Sequence, residues 1–361
     1  MTKHRSFKPS FIVIPYFLLL SIGVVEVWSS SYYFAFRKFH DPNFFLKREL
    51  VFVFLSILAA FVFSHINYRF LKKLSIPLVL VSLFLLVLLH FNGVNIRGAV
   101  RWLKVGVFIF EPSGLAQIAL LIYLADFISR KHKYRSDMAR GVMPVAFITG
   151  LFFMLIALEP DVGTAFLIGL TFLGVIYVFG YKPKYIALLI FPIAIVLALI
   201  IYTYPEKLQR VINFFMTGRV NYQVEHAILA MGSGGIFGAG PAEGIYKSLF
   251  VPDSYNDFIM AGIGEDFGFI GVFLVLVLLL SVLLSIFTVC KKCKDEFGRA
   301  LGFGIGLMLS LEALINLFSV FHLMPPKGIT MPFLSYGGTS LLVQGILIGI
   351  VLSIYRYCEF Q

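Results

Sequence analysis

The sequence predicts an all-α fold: a polytopic integral membrane protein of about ten transmembrane helices, with one large extracytoplasmic loop between helices 7 and 8. Hydrophobic residues make up 59% of the 361 residues and charged residues only 14%, whereas a soluble domain carries about 25% charged residues. Apolar runs of about 20 residues, the length of a membrane-spanning helix, recur along the whole chain. A membrane β-barrel would instead show short alternating segments. We therefore expect one transmembrane domain that covers residues 1–361.

The positions of the apolar runs define the expected spans. They cover residues 11–36, 50–66, 74–91, 113–129, 141–158, 162–180, 185–204, 258–290, 300–322 and 339–355. The first span resembles a signal peptide because basic residues precede it, but further spans follow, so we expect it to stay in the protein. The eighth span is long enough to bend, or to include a half-buried segment at 262–264 where the chain enters the membrane.

The basic residues predict the orientation. An even number of spans places both termini on one side of the membrane, and most of the 30 Lys and Arg residues lie on that side, in short loops. The positive-inside rule therefore places both termini in the cytoplasm. Arg37, Lys38, Lys47 and Arg48 lie in the first outer loop and oppose this bias. Since topology explains the net charge of +11, we expect no nucleic-acid partner.

The cysteines are expected to be small residues at helix ends. They are Cys290, Cys293 and Cys358, and the Cys-Lys-Lys-Cys pattern at 290–293 has no second pair or histidine nearby. A zinc or redox role would need such additional ligands or a different fold context. In the predicted topology all of them face the reducing cytoplasm.

One long loop, residues 205–257, lies outside the cytoplasm in this topology. Loops of this length are usually functional or disordered. This loop carries apolar stretches at 227–231 and 245–251, which favour helices that lie at the membrane surface. The sequence has no P-loop signature for ATP, so a reaction at this loop must use a substrate that is already activated.

Carboxylates within the membrane spans are candidate functional residues, because they are costly to bury in lipid. These acids are Glu26, Asp126, Glu265, Asp266 and Glu312, with Glu159 and Asp161 at a membrane edge. A buried pair, or a water-facing position near a helix end, is the alternative for each acid, and we favour it for Glu26 and Asp126.

Asp253 and Asp257 lie where the long loop re-enters the membrane, and Glu265 follows about two turns later if the stretch is helical. Clustered carboxylates in a partly desolvated mouth raise each other's pKa, which suits proton transfer. Asp257 and Glu265 are also candidate ligands of a divalent cation such as Mg²⁺ or Mn²⁺. The alternative is that Asp253 or Asp257 is a helix N-cap.

Three other segments have both a functional and a structural interpretation. The glycine-rich run 232–240 can form a nest of N–H groups for an anionic headgroup, although loop packing explains it better. Arg97, Arg101 and Trp102 can bind a lipid pyrophosphate or anchor the chain at the interface. The run 325–340 has Pro and Gly at a density that breaks a helix, which favours the lining of a cavity over a plain turn.

Together these motifs resemble the SEDS family (shape, elongation, division and sporulation), which includes the FtsW and RodA proteins. The matching motifs are GAVRW at 98–102, PS at 112–113, EPDVGTA at 159–165, YQ at 222–223, GSGG at 232–235, DF at 257–258, GE at 264–265 and PFLSYGG at 332–338. The last motif is very specific to the family. The stretch KGITMP at 327–332 looks more like the division type, FtsW, than the elongation type, RodA.

The resemblance implies a glycosyltransferase of the bacterial cytoplasmic membrane that polymerises lipid II, the undecaprenyl-pyrophosphoryl disaccharide-pentapeptide, into peptidoglycan. It also implies a class B penicillin-binding protein as transpeptidase partner, within the divisome or the elongasome. Lipid II carries its own pyrophosphate leaving group and is polymerised outside the cytoplasm, which agrees with an outer site and no ATP signature.

The resemblance also implies roles for individual residues. Asp257 matches the family's essential aspartate and would act as general base on the acceptor sugar hydroxyl, while Arg101 would stabilise the departing pyrophosphate. The expected substrate-binding residues are Arg97, Arg101, Trp102, Lys247, Glu265, Ser335, Tyr336, Gly337 and Gly338. The expected supporting residues are Glu111, Gln117, Glu159, Asp161, Gly234 and Gly235.

The chain departs from the family at the start of the fourth span. Where the family usually has a Glu and a Lys, this chain has Gly114 and Gln117. Losing both charges together keeps the net charge of the site, and Glu111, slightly upstream, can replace the missing carboxylate. Because a nearby cation would lower the pKa of Asp257, we expect a more alkaline activity profile than in a lysine-bearing relative.

Two other functions stay open from the sequence. A lipid II flippase or transporter would show internal repeats with matching broken helices, and no convincing repeat relates the two halves here. A catalytically weak scaffold that recruits a transpeptidase would fit the changes at Gly114 and Gln117. Retention of Asp257, Glu265 and Arg101 argues for the polymerase.

Overall fold

The computed structural model describes residues 8–358, apart from 97–98, 106–107, 160, 218–221, 252–253 and 326. The α-helices of this part of the chain are, in order, α1 (Ser10–Phe39), α2 (Phe44–His65), α3 (Arg69–Asn92), α4 (Pro112–Lys131), α5 (Met143–Leu158), α6 (Val162–Val178), α7 (Pro183–Thr203), α8 (Pro205–Ile212), α9 (Tyr222–Ser233), α10 (Ile245–Leu249), α11 (Ile259–Lys292), α12 (Glu296–Val320) and α13 (Gly338–Tyr357). Short 3₁₀ and π turns lie at His132–Tyr134, Met138–Val142 and Asn213–Thr217.

The multi-pass helical fold is confirmed. Each predicted span coincides with one long helix, namely α1 to α7 and α11 to α13. Among the described residues, 8 helices are long and apolar enough to cross a membrane. Helix α6 is apolar but has 17 residues, and α2 has 22. Large apolar side chains such as Phe54, Phe84 and Phe91 lie exposed on the outside of the bundle, as expected of a surface that contacts lipid tails.

Small residues let α2 and α13 pack closely. A Cβ atom at Gly349 would lie 2.7 Å from the carbonyl oxygen of Ala60, so only glycine permits this approach of the two backbones. The Ser56 hydroxyl of α2 donates to the carbonyl of Leu341 at 2.6 Å and lies 2.8 Å from the Tyr16 hydroxyl of α1. These contacts fix α1, α2 and α13 as one unit.

Between α3 and α4, the described residues form three short strands that the sequence did not predict. Strands β1 (Val94–Ile96), β2 (Ala99–Val105) and β3 (Phe108–Phe110) form an antiparallel sheet in the order β1-β2-β3. Trp102 on β2 pairs with Val94 on β1. Their alternating pattern is too short to stand out between two long apolar spans, and the sheet carries Arg101 towards the start of α4.

Helix α11 breaks at Gly268, whose φ of 63° and ψ of −161° are not helical. The bend expected in this span therefore occurs at Gly268, whereas 262–264 is helical. The glycine-rich run 232–240 docks on the break and pairs the backbone groups there. The bonds are Ala239 N–H to Glu265 O (2.8 Å), Gly240 N–H to Asp266 O (3.0 Å), Phe269 N–H to Gly235 O (2.9 Å) and Ile270 N–H to Ile236 O (3.2 Å).

This docking requires glycine at two positions. A Cβ atom at Gly234 would overlap the carbonyl oxygen of Gly264, and one at Gly238 would overlap that of Asp266. Gly238 also has φ +84°, a conformation that other residues rarely adopt. The run thus packs against α11, which is the structural interpretation that the sequence favoured.

Cys293 and Cys358 form a disulfide whose Cα atoms are 5.7 Å apart, while Cys290 is a buried free thiol. The disulfide joins the end of α11 to the end of α13, a pairing that the Cys-Lys-Lys-Cys pattern does not predict. In a reducing cytoplasm the pair would be two thiols.

We expect Gly238→Ala to destabilise the protein, because the new methyl group meets the Asp266 carbonyl and the backbone would be strained. The expected loss is about 2 kcal/mol, measured as a fall in Tm of the detergent-solubilised protein. Gly232→Ala is the matched control, since a Cβ there meets no atom within 4 Å. Equal Tm values for the two variants would contradict the proposed docking.

Candidate active site

Asp257 is half-buried in the turn that precedes α11. The side-chain amide of Asn316, a buried residue of α12, donates to the carbonyl oxygens of Asp257 and Ile329, each at 2.8 Å. One buried amide thus holds two non-helical segments together. The backbone that carries the Asp257 carboxylate is fixed as a result.

The PFLSYGG motif supports the same turn from another side. The Ser335 hydroxyl donates to the carbonyl of Asn256 at 2.7 Å and accepts the N–H of Met331 at 2.8 Å. The N–H of Tyr336 donates to the carbonyl of Tyr255 at 2.9 Å. These bonds pair backbone groups that a non-helical chain would otherwise leave unsatisfied. The motif is therefore the support of the Asp257 turn.

The Asp257 carboxylate faces Gly328. A Cβ atom built on Gly328 would lie 3.3 Å from Oδ2 of Asp257, which is closer than most Cβ contacts. The absence of a side chain at Gly328 therefore leaves room beside the carboxylate, on the side of the segment 327–329.

A group of charged residues surrounds the start of α6. Nη2 of Arg101 lies 3.6 Å from Oδ1 of Asp161, and the same oxygen accepts the N–H of Thr164 at 3.2 Å as the N-cap of α6. Glu111 accepts the Ser113 hydroxyl at 3.1 Å. Glu159 is buried, and neither of its carboxylate oxygens has a hydrogen-bond partner within the described part of the chain. We call Arg101, Glu111, Glu159 and Asp161 the acidic cluster.

The acids of this cluster perturb one another. Burial raises the pKa of Glu159 to about 9, and the charges of Asp161 and Glu111 raise it too, against the effect of Arg101. Burial raises the pKa of Glu111 to about 7, helped by Asp161 and opposed by Arg101 and the Ser113 hydroxyl. Glu159 therefore holds its proton at neutral pH, and this reduces the repulsion within the acidic cluster.

The first turn of α6 joins the acidic cluster to the Asp257 turn. A Cβ at Gly163 would lie 3.1 Å from the side chain of Ile329, so the helix packs directly on the segment 327–329. Nζ of Lys327 lies 3.8 Å from the centre of the Phe166 ring, and burial lowers the pKa of Lys327 to about 8. Asp257 and the acidic cluster consequently border the same segment, which carries a half-buried lysine.

Lys247 is buried among acids from two membrane helices. Its ammonium forms ion pairs with Asp266 of α11 and with Glu26 of α1, the latter at 3.6 Å, and donates to the Ser29 hydroxyl at 2.6 Å. The Ser29 hydroxyl in turn donates to Asp266 at 2.5 Å. These contacts attach α10 of the long loop to the bundle.

Glu265 caps α10. Its two carboxylate oxygens accept the backbone N–H groups of Tyr246 and Lys247, each at 2.8 Å. Glu265 lies inside α11, whereas Asp257 lies in the turn before it, so the two are not on one face of a continuous helix. A cation shared by Asp257 and Glu265 does not fit this geometry, because both oxygens of Glu265 are engaged. Among the described residues, no group of three or more His, Cys, Asp or Glu is arranged to hold a metal ion.

The other predicted site residues lie at the edges of this region. Trp102 is half-buried on β2, and Gln117 is buried in α4. The ring of Tyr336 packs 5.2 Å from that of Phe45. Gly337 precedes α13 as its N-cap. Arg97 falls outside the described residues, as does Asp253.

Close packing requires glycine at Gly338, Gly234 and Gly114, whereas Gly235 has a positive φ. A Cβ at Gly338 would lie 2.5 Å from the ring of Phe52. Gly234 and Gly235 belong to the run that docks on the α11 break, and Gly235 has φ +56°. At Gly114, where the family has a Glu, a Cβ would lie 2.8 Å from Cγ2 of Val343, so α4 and α13 are closer here than a longer side chain allows.

Sequence reasoning missed Asn316 and Lys327 as site residues. Asn316 is a polar residue in the apolar ninth span, and this is a signal that could have found it. Lys327 lies between Pro326 and Gly328 in a segment predicted to line a cavity. The sequence therefore shows its charge but not its position relative to Asp257.

We expect Glu159→Gln to stabilise the protein increasingly as the pH rises from about 5 towards 9. The folded pKa of Glu159 is raised to about 9, so the folded state binds a proton that the unfolded state loses above about 4.5, and stability falls with rising pH. The amide removes this loss, by on the order of 5 kcal/mol at pH 8. Tm measured across pH checks this, with the exposed Glu243→Gln as control. A gain that does not depend on pH would contradict it.

The comparisons with known proteins agree with the family seen in the motifs. The family of cell cycle proteins that comprises FtsW, RodA and SpoVE matches residues 10–359. A protein of Geobacter sp. (strain M18), named probable peptidoglycan glycosyltransferase FtsW, is 33% identical over 343 residues, which are 93% of this chain and 94% of that protein. A protein of the same name from Trichlorobacter lovleyi is 34% identical over 346 residues, 93% of this chain and 90% of that protein.

Solved structures agree with the fold. The rod shape determining protein RodA of Thermus thermophilus has a TM-score of 0.73 and 25% identity, with 99% of each chain covered. A chain from a peptidoglycan synthase complex, whose structure concerns the coordination of polymerization and crosslinking, has a TM-score of 0.76 and 26% identity, with 98% of each chain covered. This chain therefore belongs to the FtsW, RodA and SpoVE family of cell cycle proteins.

Proposed function

We propose that the protein is a peptidoglycan glycosyltransferase that polymerises lipid II into glycan strands on the outer face of the bacterial cytoplasmic membrane, for cell division or cell shape. The observation that carries this proposal is the Asp257 carboxylate, held on a fixed turn and facing the space beside Gly328. The relatives named peptidoglycan glycosyltransferase FtsW, which match 93% of the chain, support the reaction class.

In the proposed reaction the Asp257 carboxylate takes the proton of an acceptor sugar hydroxyl. The resulting oxygen nucleophile attacks the anomeric carbon of the donor sugar, whose bond to the pyrophosphate breaks. The electron pair of that bond leaves with undecaprenyl pyrophosphate, and the strand gains one disaccharide. Asn316 and Ser335 fix the backbone at Asp257, so that the carboxylate needs little reorganisation during the reaction.

The cations that border this space suit a pyrophosphate leaving group. Arg101 lies beside Asp161, and its guanidinium can bind phosphate oxygens through two N–H groups. Lys327 lies in the segment next to Asp257, and a bound anion would favour its charged form because it offsets the cost of burial. A contribution from Mg²⁺ or Mn²⁺ is not part of this proposal, because Glu265 is engaged by the backbone of α10.

The proposal includes a class B penicillin-binding protein as transpeptidase partner, in the divisome or the elongasome, and cytoplasmic termini. The similarity to a chain of a peptidoglycan synthase complex supports the partner. The short basic loops support the orientation. Relatives named FtsW support the division role.

Asp257→Asn should abolish polymerisation of labelled lipid II by the purified protein with its transpeptidase partner. The amide keeps the shape of the side chain and cannot take a proton, and loss of a general base costs about 100-fold or more in rate. Asp41→Asn is the matched control, because Asp41 is a carboxylate of an outer loop paired with the exposed Lys47.

Glycan strands from the Asp257→Asn protein at the wild-type rate would disprove the base role. No strands from either protein, with the complex intact, would overturn the polymerase and favour the scaffold. A lipid-translocation assay on the protein in vesicles would then test the flippase hypothesis.

Gln117→Lys should move the acidic limb of the activity profile to lower pH, by about one unit. The resemblance implies that a lysine at this position pairs with the aspartate, and such a cation would favour the charged carboxylate and lower its pKa, so the base would be active at lower pH. Rates measured across pH check this, with Gln117→Met as a neutral control of similar size. If the acidic limbs of the pH–activity profiles coincide for the Lys and Met variants, the missing lysine does not set the pH profile.

A further inference from the structure

A cavity of about 650 Å³ lies between α6, α11 and α12, at the end of the bundle away from Asp257. Helix α11 has 34 residues and begins just after Asp257, so its other end is about 50 Å away along the helix. The residues that matter here are Arg135, Phe287, Lys291, Glu296, Arg299 and Phe303. The site proposed above uses none of them.

The cavity carries an excess of positive charge. Arg135 pairs with Glu296, so these two charges balance. Lys291 and Arg299 also line the cavity, and in the part of the chain that the structure describes no carboxylate forms an ion pair with either of them. Two cations are therefore left for a ligand, which predicts an anion.

The charged and apolar groups of the cavity lie at different depths. Helix α11 ends at Lys292 and α12 begins at Glu296, so Lys291 and Arg299 lie near the membrane surface. Phe287 and Phe303 are each about one helical turn deeper. Their half-buried rings are 5.5 Å apart. A ligand that fills both the charged and the apolar part of the cavity therefore has an anionic headgroup and an apolar tail.

We propose that this cavity binds the phosphate of an anionic phospholipid. Lys291 and Arg299 bind the phosphate oxygens, and Phe287 and Phe303 contact the first methylenes of an acyl chain. A soluble phosphate ester has the same anionic group but gains nothing from the two rings, so the lipid is the expected source. Basic pockets between membrane helices at the bilayer surface are suited to such headgroups.

The test is a titration of the full-length protein in detergent, with bound lipid counted by native mass spectrometry. The probes are phosphatidylglycerol, zwitterionic phosphatidylcholine and inorganic phosphate. We expect phosphatidylglycerol to bind most tightly. Lys291→Gln and Arg299→Gln should each weaken it about fivefold, while Arg299→Lys should keep most of the affinity.

Lys73→Gln and Lys133→Gln are the matched controls, because both lysines are exposed and lie outside the cavity, in the same set of basic loops. An equal loss of phosphatidylglycerol affinity in these controls would show that the cations act only by diffuse electrostatic attraction, and it would overturn the proposed site. Equal binding of phosphatidylcholine would also overturn it, and equal binding of inorganic phosphate would overturn the lipid as its source. If a Gln variant does not fold, the comparison of the three probes on the wild-type protein still tests the proposed lipid site.

Discussion

The ion pairs of Lys247 with Asp266 and Glu26 attach the long loop to the membrane-spanning bundle. Lys247 is 1% exposed, and a charge buried to this degree is stable only when it is paired. Helix α10 can therefore occupy only a position in which the ammonium meets both acids. Removing the lysine would leave two carboxylates without their cation, which costs far more than the pair itself contributes.

The position of the α11 break follows from the same region. Asp266 and Glu265 precede Gly268 by less than one turn, and their carbonyls accept N–H groups from the glycine-rich run. A helix that breaks within a membrane must find new partners for its backbone groups, and here the long loop supplies them. The loop and the first part of α11 are thus held together by side chains and by backbone at once.

The Asp257 turn is held by segments that are far apart in sequence. Asn316 reaches it from α12, and Ser335 reaches it from the PFLSYGG motif. Since α11 begins directly after the turn, the anchoring of α11 by Lys247 also fixes one side of the site. The carboxylate owes its position to all of these elements, which explains why the family motifs are dispersed along the chain.

The helices could be predicted from the sequence because a bilayer imposes a length and a composition on each span. The Asp257 turn and the PFLSYGG motif could be found because broken backbone inside an apolar chain is conspicuous. Their mutual contacts could not be predicted, because a hydrogen bond such as that from Ser335 to Asn256 joins residues 79 positions apart.

Residue type alone does not give the position of a side chain or of a bend. Lys247 and Glu265 have the charges that a polar substrate would need, and the structure uses both to attach α10. The sequence predicts that α11 can bend but not where, because several glycines of that helix allow a bend. Gly268 is the site of the bend because the glycine-rich run docks there, and this long-range fit leaves no local signal.

The two ends of α11 meet different physical demands. At the Asp257 end, the proposed chemistry needs polar groups at fixed positions, and the helix is broken and its backbone is paired with a loop. At the other end, α11 is helical to its last turn and α12 from its first turn, and the cations lie nearer the membrane surface than the aromatic rings. In the two proposals, phosphate on a lipid is the group that each end meets: as a leaving group beside Arg101 and Lys327, and as a bound headgroup beside Lys291 and Arg299.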